Sequence, residues 1–345
     1  MNGQEVPRGP ALRANASSGL FDALYHSYGI RCGDGVRDLG GSSNLNLFVP
    51  DARYRYVVRV YRPWVTTARL AAMHAVRQQL ERGGVPCAQP ISTLNGETWI
   101  RVDDRLVEVE PYVEYDAKMD SWERLEAGLP LLGRIHTLLR SLVLNEDGRH
   151  APAANHIEPR EVLAGVRRGT RRIRQWGASE AELQLAVASE ELARLVARAE
   201  RGVEGLPRQM VHGDYWDNNV LFREGRVVLV ADFDFMGERA RIDDLALTLY
   251  YINSTFVDNP VSDDRLRRLR TLVNAYNTGL DEPLTRAERA ALPLALVRTP
   301  LCFIAMIAVV DSTSGARQLA AEMAQDITWA LAIVRNLDRW QSAFV

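Results

Sequence analysis

Two stretches of this chain bring together residue types that can do chemistry. The first, VHGDYWDNNVLF from Val211 to Phe222, sets Asp214 and Asn219 five residues apart in a polar segment before an apolar run. The second, VVLVADFDFMG, follows a turn at Arg223-Glu224-Gly225 and puts Asp232 at the end of an apolar strand. A carboxylate can orient a hydroxyl and accept its proton. A carboxylate and an amide oxygen together can hold a hard divalent cation. Both needs meet in phosphoryl transfer, whose loose, anionic transition state asks the protein mainly to position groups and neutralise charge. In this reading Asp214 accepts the proton of an attacking hydroxyl, while Asn219 and Asp232 hold Mg2+. Either aspartate alone fits a loop cap or a turn. HGD, an asparagine five further on and DFD beyond one hairpin make a far more specific combination.

Such a site also needs backbone amides over the phosphates. Gly40-Gly41-Ser42-Ser43-Asn44 lies between two predicted strands, where a glycine-rich turn brings N–H groups close to phosphate oxygens. A two-glycine hairpin is by itself also an ordinary turn.

The elements around these residues divide the chain in two. FDALYHSYGI reads as a short helix ending at Gly29, followed by strands near Val36 to Leu39, at NLFV and at YRYVVRVYRP. Apolar residues at Leu70, Met73, Val76 and Leu80 predict a helix over 66–82, stopped by Gly83-Gly84. ISTL, ETWIRV and RLVEVE read as strands, with turns at Asn95-Gly96 and Asp103-Asp104. The expectation is an antiparallel sheet of about five strands with one packed helix. From Ser121 onward the pattern is helical, interrupted by the hairpin NVLF to VVLVADF. The expected division is a flexible tail at 1–17, a sheet lobe at 18–111 and a helical lobe at 112–345, with a ligand cleft between the lobes.

Bulk properties exclude little but point one way. A net charge of −2 over 345 residues gives no basic field for nucleic acid. Cys32, Cys87 and Cys302 are odd in number and lack metal-ligand spacing, which fits a reducing cytoplasmic compartment. The opening residues carry no signal-peptide pattern, and the apolar run Leu301 to Val310 is too short to cross a bilayer and reads as a buried helix. Lys118 is the only lysine in the chain.

HGDYWDNN followed by DFDF resembles the motif pair of the aminoglycoside phosphotransferase and choline kinase superfamily, relatives of the protein kinases. YVVRVYRP, GGVPCAQPI and NGE resemble its homoserine kinase type II and stress-response kinase branch. The resemblance runs from about Leu39 to the C-terminal helices. It implies a bilobal, protein kinase-like α+β fold, with ATP and Mg2+ as cofactors. It also implies Asp214 as the catalytic aspartate, Asn219 and Asp232 as metal ligands, and Gly40, Gly41, Ser42, Ser43 and Asn44 as the phosphate loop. The backbone at Glu110, Tyr112 and Val113 becomes the hinge that reads adenine. Asp244, in DDLAL, matches an acidic position that braces the lower lobe, and His212 holds loop geometry.

Two departures stand out. The third strand of such kinases usually carries a lysine that grips the phosphates, paired with a glutamate on the helix. Here that position is Arg59, whose planar fork is not a lysine point charge. The helix VTTARLAAMHAVRQQLER has no acid before Glu81, so Arg59 must find another carboxylate or stand alone.

The resemblance leaves the acceptor open. Trp216, Asp217, Asp234, Glu238 and Tyr250 are candidate acceptor contacts, with Tyr251 and Asn253 on the same helix and further acids at Asp243, Asp258, Asp263 and Asp264. The acceptor hydroxyl belongs to an antibiotic such as an aminoglycoside, to a sugar or to an amino alcohol. The alternatives are a protein Ser/Thr kinase of the stress-response type and a nucleotide-binding protein with little turnover. Arg59→Ala is expected to weaken nucleotide binding or transfer at least tenfold, about 1.4 kcal/mol. Titration with ATP and a rate assay check this, and unchanged values would remove Arg59 from the phosphate grip. Arg59→Lys in the same assays tells whether arginine is tuned or merely tolerated.

Overall fold

The strand-forming runs of the first third pair into one antiparallel sheet. The computed structural model describes residues 13–41, 43–151, 155–202, 205–255 and 262–345, except for the side chains of 253–255. Two helices, α1 (Ser18–Tyr28) and α2 (Thr67–Arg82), accompany five strands. These are β1 (Arg37–Gly40), β2 (Leu45–Pro50), β3 (Arg55–Val60), β4 (Ile100–Val102) and β5 (Arg105–Pro111), in the order β1-β2-β3-β5-β4. Asp103 and Asp104 turn the chain between β4 and β5 with φ of 45° and 61°, a conformation that short polar side chains tolerate best.

The two-residue period of the strands gives each face its job. Val58, Val60, Val107 and Val109 turn to one face, where they form an apolar cluster with Leu20 and Leu24 of α1. Arg59, Tyr61, Glu108 and Glu110 are thereby directed to the other face, which α2 covers. Serine and threonine caps start both helices: Ser17 accepts from Leu20 N and Thr66 from Arg69 N. Gly29, at φ 72°, closes α1.

Two local expectations change. The sheet carries two packed helices instead of one. ISTL is no strand, because Pro90 breaks the ladder of donors just before it. Its Ile91 N bonds the Val109 carbonyl at 2.7 Å, and the chain then turns back on itself through Thr93 and Glu97.

The second part is helical, with short strands that frame the motifs. The strands are β6 (Ala117–Lys118), β7 (Arg208–Val211), β8 (Val220–Arg223), β9 (Arg226–Val230) and β10 (Gly237–Ala240). β6, β8 and β9 form one sheet, and β7 pairs with β10. Its helices are α3 (Trp122–Leu139), α4 (Glu146–Arg149), α5 (Val162–Gln175), α6 (Glu180–Ala199), α7 (Arg241–Thr255), α8 (Asp263–Thr278), α9 (Arg286–Met306), α10 (Thr313–Arg335) and α11 (Leu337–Phe344). The apolar run expected at Leu301 belongs to α9, which continues through Pro293 and Pro300. Together with the following turn it is long and apolar enough to cross a bilayer, with mean hydropathy 2.0, yet 72% of that window is buried inside the protein.

One residue of α2 ties the two parts together. Arg69 is 2% exposed and donates to four backbone carbonyls: Asp147 at 3.0 Å, Gly148 at 2.9 Å, Asp234 at 2.9 Å and Met236 at 2.6 Å. It thus joins the helix of the sheet lobe to α4 and to the DFDFM segment. Removing the guanidinium strands buried carbonyls, a loss on the order of 3 kcal/mol. Arg69→Met is therefore expected to lower the urea midpoint sharply; a shift worth less than about 1 kcal/mol would mean that water replaces the clamp.

Candidate active site

The HGD turn is held by a carboxylate from the next helix. Asp244, 1% exposed in the first turn of α7, accepts from His212 N at 3.0 Å, Gly213 N at 2.9 Å and His136 Nε2 at 3.0 Å. Burial alone would raise its carboxyl, but the His136 hydrogen bond, helped by the Arg239 guanidinium, holds it below the usual carboxylate range. Tyr276 donates to His136 Nδ1 at 2.7 Å and completes the chain. Gly213 has φ 83°, and a Cβ there would lie 2.1 Å from the Phe235 carbonyl oxygen, so only glycine fits between the two motifs. His212 is fully buried. Its Nε2 donates to the Ala231 carbonyl at 3.1 Å, and its Nδ1 accepts from Asp214 N at 3.2 Å.

Asp214 follows with both carboxylate oxygens engaged. Asn155 Nδ2 donates to Oδ1 at 3.0 Å, and Asn219 Nδ2 donates to Oδ2 at 3.0 Å and to the Asp214 carbonyl at 2.9 Å. Burial, then the nearby Asp232 charge, pushes this carboxyl up to about 8 against those two amides. Asn155 is a neighbour that sequence reading missed; no motif marks the segment it belongs to.

Asp232 reaches the same spot from β9. Ala231 N donates to the Asn219 carbonyl at 2.9 Å, locking the end of the hairpin onto the loop, and Asp232 itself adopts φ 64°. The donor set fits a divalent cation. Asn219 spends its amide nitrogen on Asp214, which leaves its amide oxygen, with the Asp232 carboxylate, as the hard donors. Burial and the adjacent Asp234 raise the Asp232 carboxyl, and Arg59 opposes this.

Arg59 does find a carboxylate, though not on α2. Its Nη1 lies 3.3 Å from Asp232 Oδ1 and 3.7 Å from Asp234 Oδ1. The helix supplies an arginine and a histidine instead of the missing acid. Arg77 donates to Glu108 at 2.8 Å and to Glu110, and His74 Nε2 lies 2.7 Å from Glu108. The helix-to-strand ion pair therefore exists with its polarity reversed. Burial opposes ionisation of Glu108, but Arg77 and His74 pull its carboxyl well below the usual range. Glu110 goes the other way: burial and the neighbouring Glu108 carboxylate push it up to about 7 despite Arg77.

The other expected residues distribute unevenly. Gly40 and Gly41 have φ of 88° and 113°; Gly40 N is already bonded to Asp38 Oδ1 at 2.7 Å, and Ser42 lies outside the described residues. Asn44 is 4% exposed; it donates to Asp234 at 2.6 Å and accepts from Arg62 N at 3.1 Å, so its amide anchors the loop to the DFD motif. Ser43, beside it, is half-buried. Glu110 sits in the ladder opposite Val57 with its side chain turned inward, and Tyr112 N donates to the Arg55 carbonyl at 2.9 Å ahead of Val113.

Among the acceptor candidates, Asp234 is corrected to an internal brace. It is 2% exposed, and Arg62 at 2.8 Å and Asn44 share its Oδ2. Tyr250 is likewise buried and donates to Asp326. Trp216 and Asp217 stay near Asp214: the Trp216 ring lies 4.8 Å from that of Tyr251, and Trp216 Nε1 and Asp217 Oδ1 are buried without a partner among the described residues. Glu238 and Asp243 line a separate cavity. Asp258 and the side chain of Asn253 lie outside the described residues, and Asp263 and Asp264 start α8 on the surface.

Kinase-like lobes joined at an HGD loop and a DFD motif define a class, and sequence comparison places the chain within it. Residues 34–289 match the APH phosphotransferase enzyme family, and the chain belongs to that family. It is 26% identical over 274 residues to a homoserine kinase of Beijerinckia indica, covering 79% of this chain and 78% of the relative. A homoserine kinase of Afipia carboxidovorans is 24% identical over 265 residues, covering 76% and 75%. One of Phenylobacterium zucineum is 36% identical, but the match spans 30% of this chain and 32% of that protein. Solved structures share the fold. A microcompartment-associated aminopropanol kinase superposes with TM-score 0.68 at 19% identity, over 92% of this chain and 97% of the other. An amicoumacin kinase solved with AMP-PNP and Ca2+ gives 0.67 at 14% identity, over 91% and 93%. The chain is thus an ATP-dependent small-molecule kinase.

His212 carries a pH consequence. Burial holds its imidazole down at about 4, against 6.5 for a free histidine. Between those values the unfolded chain binds the proton and the folded one does not, so stability falls as pH drops through that window. The loss reaches about 3 kcal/mol below pH 4. Urea melts from pH 7 to 4 measure it, and His212→Asn is expected to flatten the slope; an unchanged slope would move the proton uptake elsewhere.

Proposed function

We propose that the protein transfers the γ-phosphate of Mg-ATP to the hydroxyl of a compact amino alcohol, with homoserine the first acceptor to try. The geometry around Asp214 carries the reading. Its carboxylate is held by two amides, Asn155 and Asn219, in the orientation to take a hydroxyl proton. In the same reading Asn219 and Asp232 hold the metal, which when bound neutralises phosphate charge. Arg59 supplies the fixed cation on that side of the cleft, and the Gly40–Asn44 turn covers the phosphates.

The acceptor class follows from what stands beside Asp214. The Asp214 carboxylate is close enough to Tyr251 to help burial raise that phenol, and Tyr251 stacks on Trp216. Trp216 and Tyr251 give an aromatic wall for an ammonium group, and Asp217, with one carboxylate oxygen unpartnered among the described residues, supplies its counter-charge. The relatives matched over three quarters of the chain are named homoserine kinases, and homoserine carries both an ammonium and a primary hydroxyl.

Two measurements test this. A panel of homoserine, aminopropanol, sugars, aminoglycosides and a generic protein substrate, incubated with Mg-ATP and read by mass shift, is expected to show one added phosphate on an amino alcohol. Transfer only to a sugar or to protein would overturn the acceptor class. Asp214→Asn is expected to lower kcat at least a hundredfold while leaving ATP affinity within about threefold. Equal rates for variant and wild type would remove Asp214 as the base.

A further inference from the structure

The turn between β1 and β2 that carries Gly40 and Gly41 is braced by a residue from outside the sheet. Arg13, which stands ahead of α1, reaches both limbs of that turn. On the β1 side its Nη2 pairs with Asp38 Oδ1 at 2.5 Å. On the β2 side its Nε donates to the Asn44 carbonyl at 3.1 Å. The same Asp38 oxygen accepts from Gly40 N at 2.7 Å, and Asn46 Nδ2 donates to the Gly40 carbonyl at 3.0 Å. One guanidinium therefore staples the two limbs together.

The far limb is held at a second level. The Asn44 amide already bonds Asp234 of the DFD motif and Arg62 N. Arg13 adds a hold on its backbone carbonyl, so the end of the turn that meets the metal motif is fixed through both main chain and side chain. Charge is arranged to match. The Arg13 guanidinium, then the Gly40 amide, hold the Asp38 carboxyl below the usual carboxylate range. A bare carboxylate beside phosphates would repel them, and Arg13 cancels it.

We propose that Arg13 is a positioning residue for nucleotide binding, one that fixes the glycine turn before the phosphates arrive and neutralises Asp38 beside them. The inference rests on the reading of the Gly40–Asn44 turn as the phosphate cover. Gly40 and Gly41 leave the turn many conformations, and freezing them on binding costs affinity. A brace already in place removes that cost from the binding step. The Arg13 and Asp38 side chains are 22% and 48% exposed, a setting in which an ion pair adds little to folding stability, so its effect falls on the turn.

Titration of the full chain with Mg-ATP and with adenosine, without acceptor, tests this. Arg13→Ala is expected to weaken Mg-ATP about fivefold or more and to leave adenosine, which carries no phosphate, within about twofold. Arg13→Lys keeps one of the two contacts and is expected to fall between. The urea midpoint is expected not to move. Asp38→Ala removes the shared anchor, so its loss and that of Arg13→Ala are expected to overlap in the double variant. Fully additive losses would make Arg13 a remote charge on the phosphates and overturn the positioning role, as would an equal loss for adenosine. Gly41→Val separates this inference from the reading beneath it. At φ 113°, a Cβ on Gly41 would lie 2.8 Å from Asn46 Nδ2 and 3.1 Å from the Asn44 carbonyl oxygen, so the turn itself must move. If Gly41→Val weakens Mg-ATP and Arg13→Ala does not, Arg13 has no part in binding and the phosphate-loop reading stands. If neither weakens it, the turn does not cover the phosphates and both fall.

Discussion

Asp244 is the contact on which the active-site geometry depends. One carboxylate takes two successive backbone amides, His212 N and Gly213 N, and a histidine from α3. A loop that turns through a left-handed glycine has amides to satisfy, and in a dry interior only an ionised, fully bonded acceptor does so at low cost. With those amides fixed, Asp214 leaves the turn in a set direction, and His212 can bond the Ala231 carbonyl just past β9. The loop that carries Asp214 and the end of the hairpin that carries Asp232 thus share one buried anchor.

The cleft side of the sheet carries its charges in an arrangement of its own. Arg59, His74 and Arg77 face Glu108, Glu110, Asp232 and Asp234 across the same volume. Two carboxylates on β5, side by side on one strand face, are met by the Arg77 guanidinium and the His74 imidazole from α2. That leaves the guanidinium on β3 free to lean toward the DFD motif instead of toward the helix.

Much of this was legible in the sequence, and the limits have physical causes. HGD, Asn219 and DFD could be read because their spacing along the chain is their geometry: one loop and one hairpin bring them together. Arg59 could be read as a departure, but not its partner, since Asp232 is 173 residues away and only the fold brings it near. The alternation in RLVEVE already put Glu108 and Glu110 on one face, yet that His74 and Arg77 would meet them required knowing the rotation of α2. Asn155 and Arg69 gave no signal at all, because an amide or a guanidinium bonding backbone carbonyls and a distant carboxylate has no sequence period. β7 and β10, four residues each and partly charged, carry no alternation to read. Asp234 looked like a free acid of the motif because its burial is set by Asn44 and Arg62, far away in the chain.

The lone lysine has a practical corollary. Lys118 donates to Asn218, one residue before the candidate metal ligand Asn219, from the two-residue strand β6. Every other side-chain cation in the chain is a guanidinium or an imidazole. Amine-directed reagents thus meet one side-chain target, with the chain's α-amino group as the other. A dye, a spin probe or a fluorine tag coupled at Lys118 would watch the base of the catalytic loop directly, with no need to strip competing lysines from the surface.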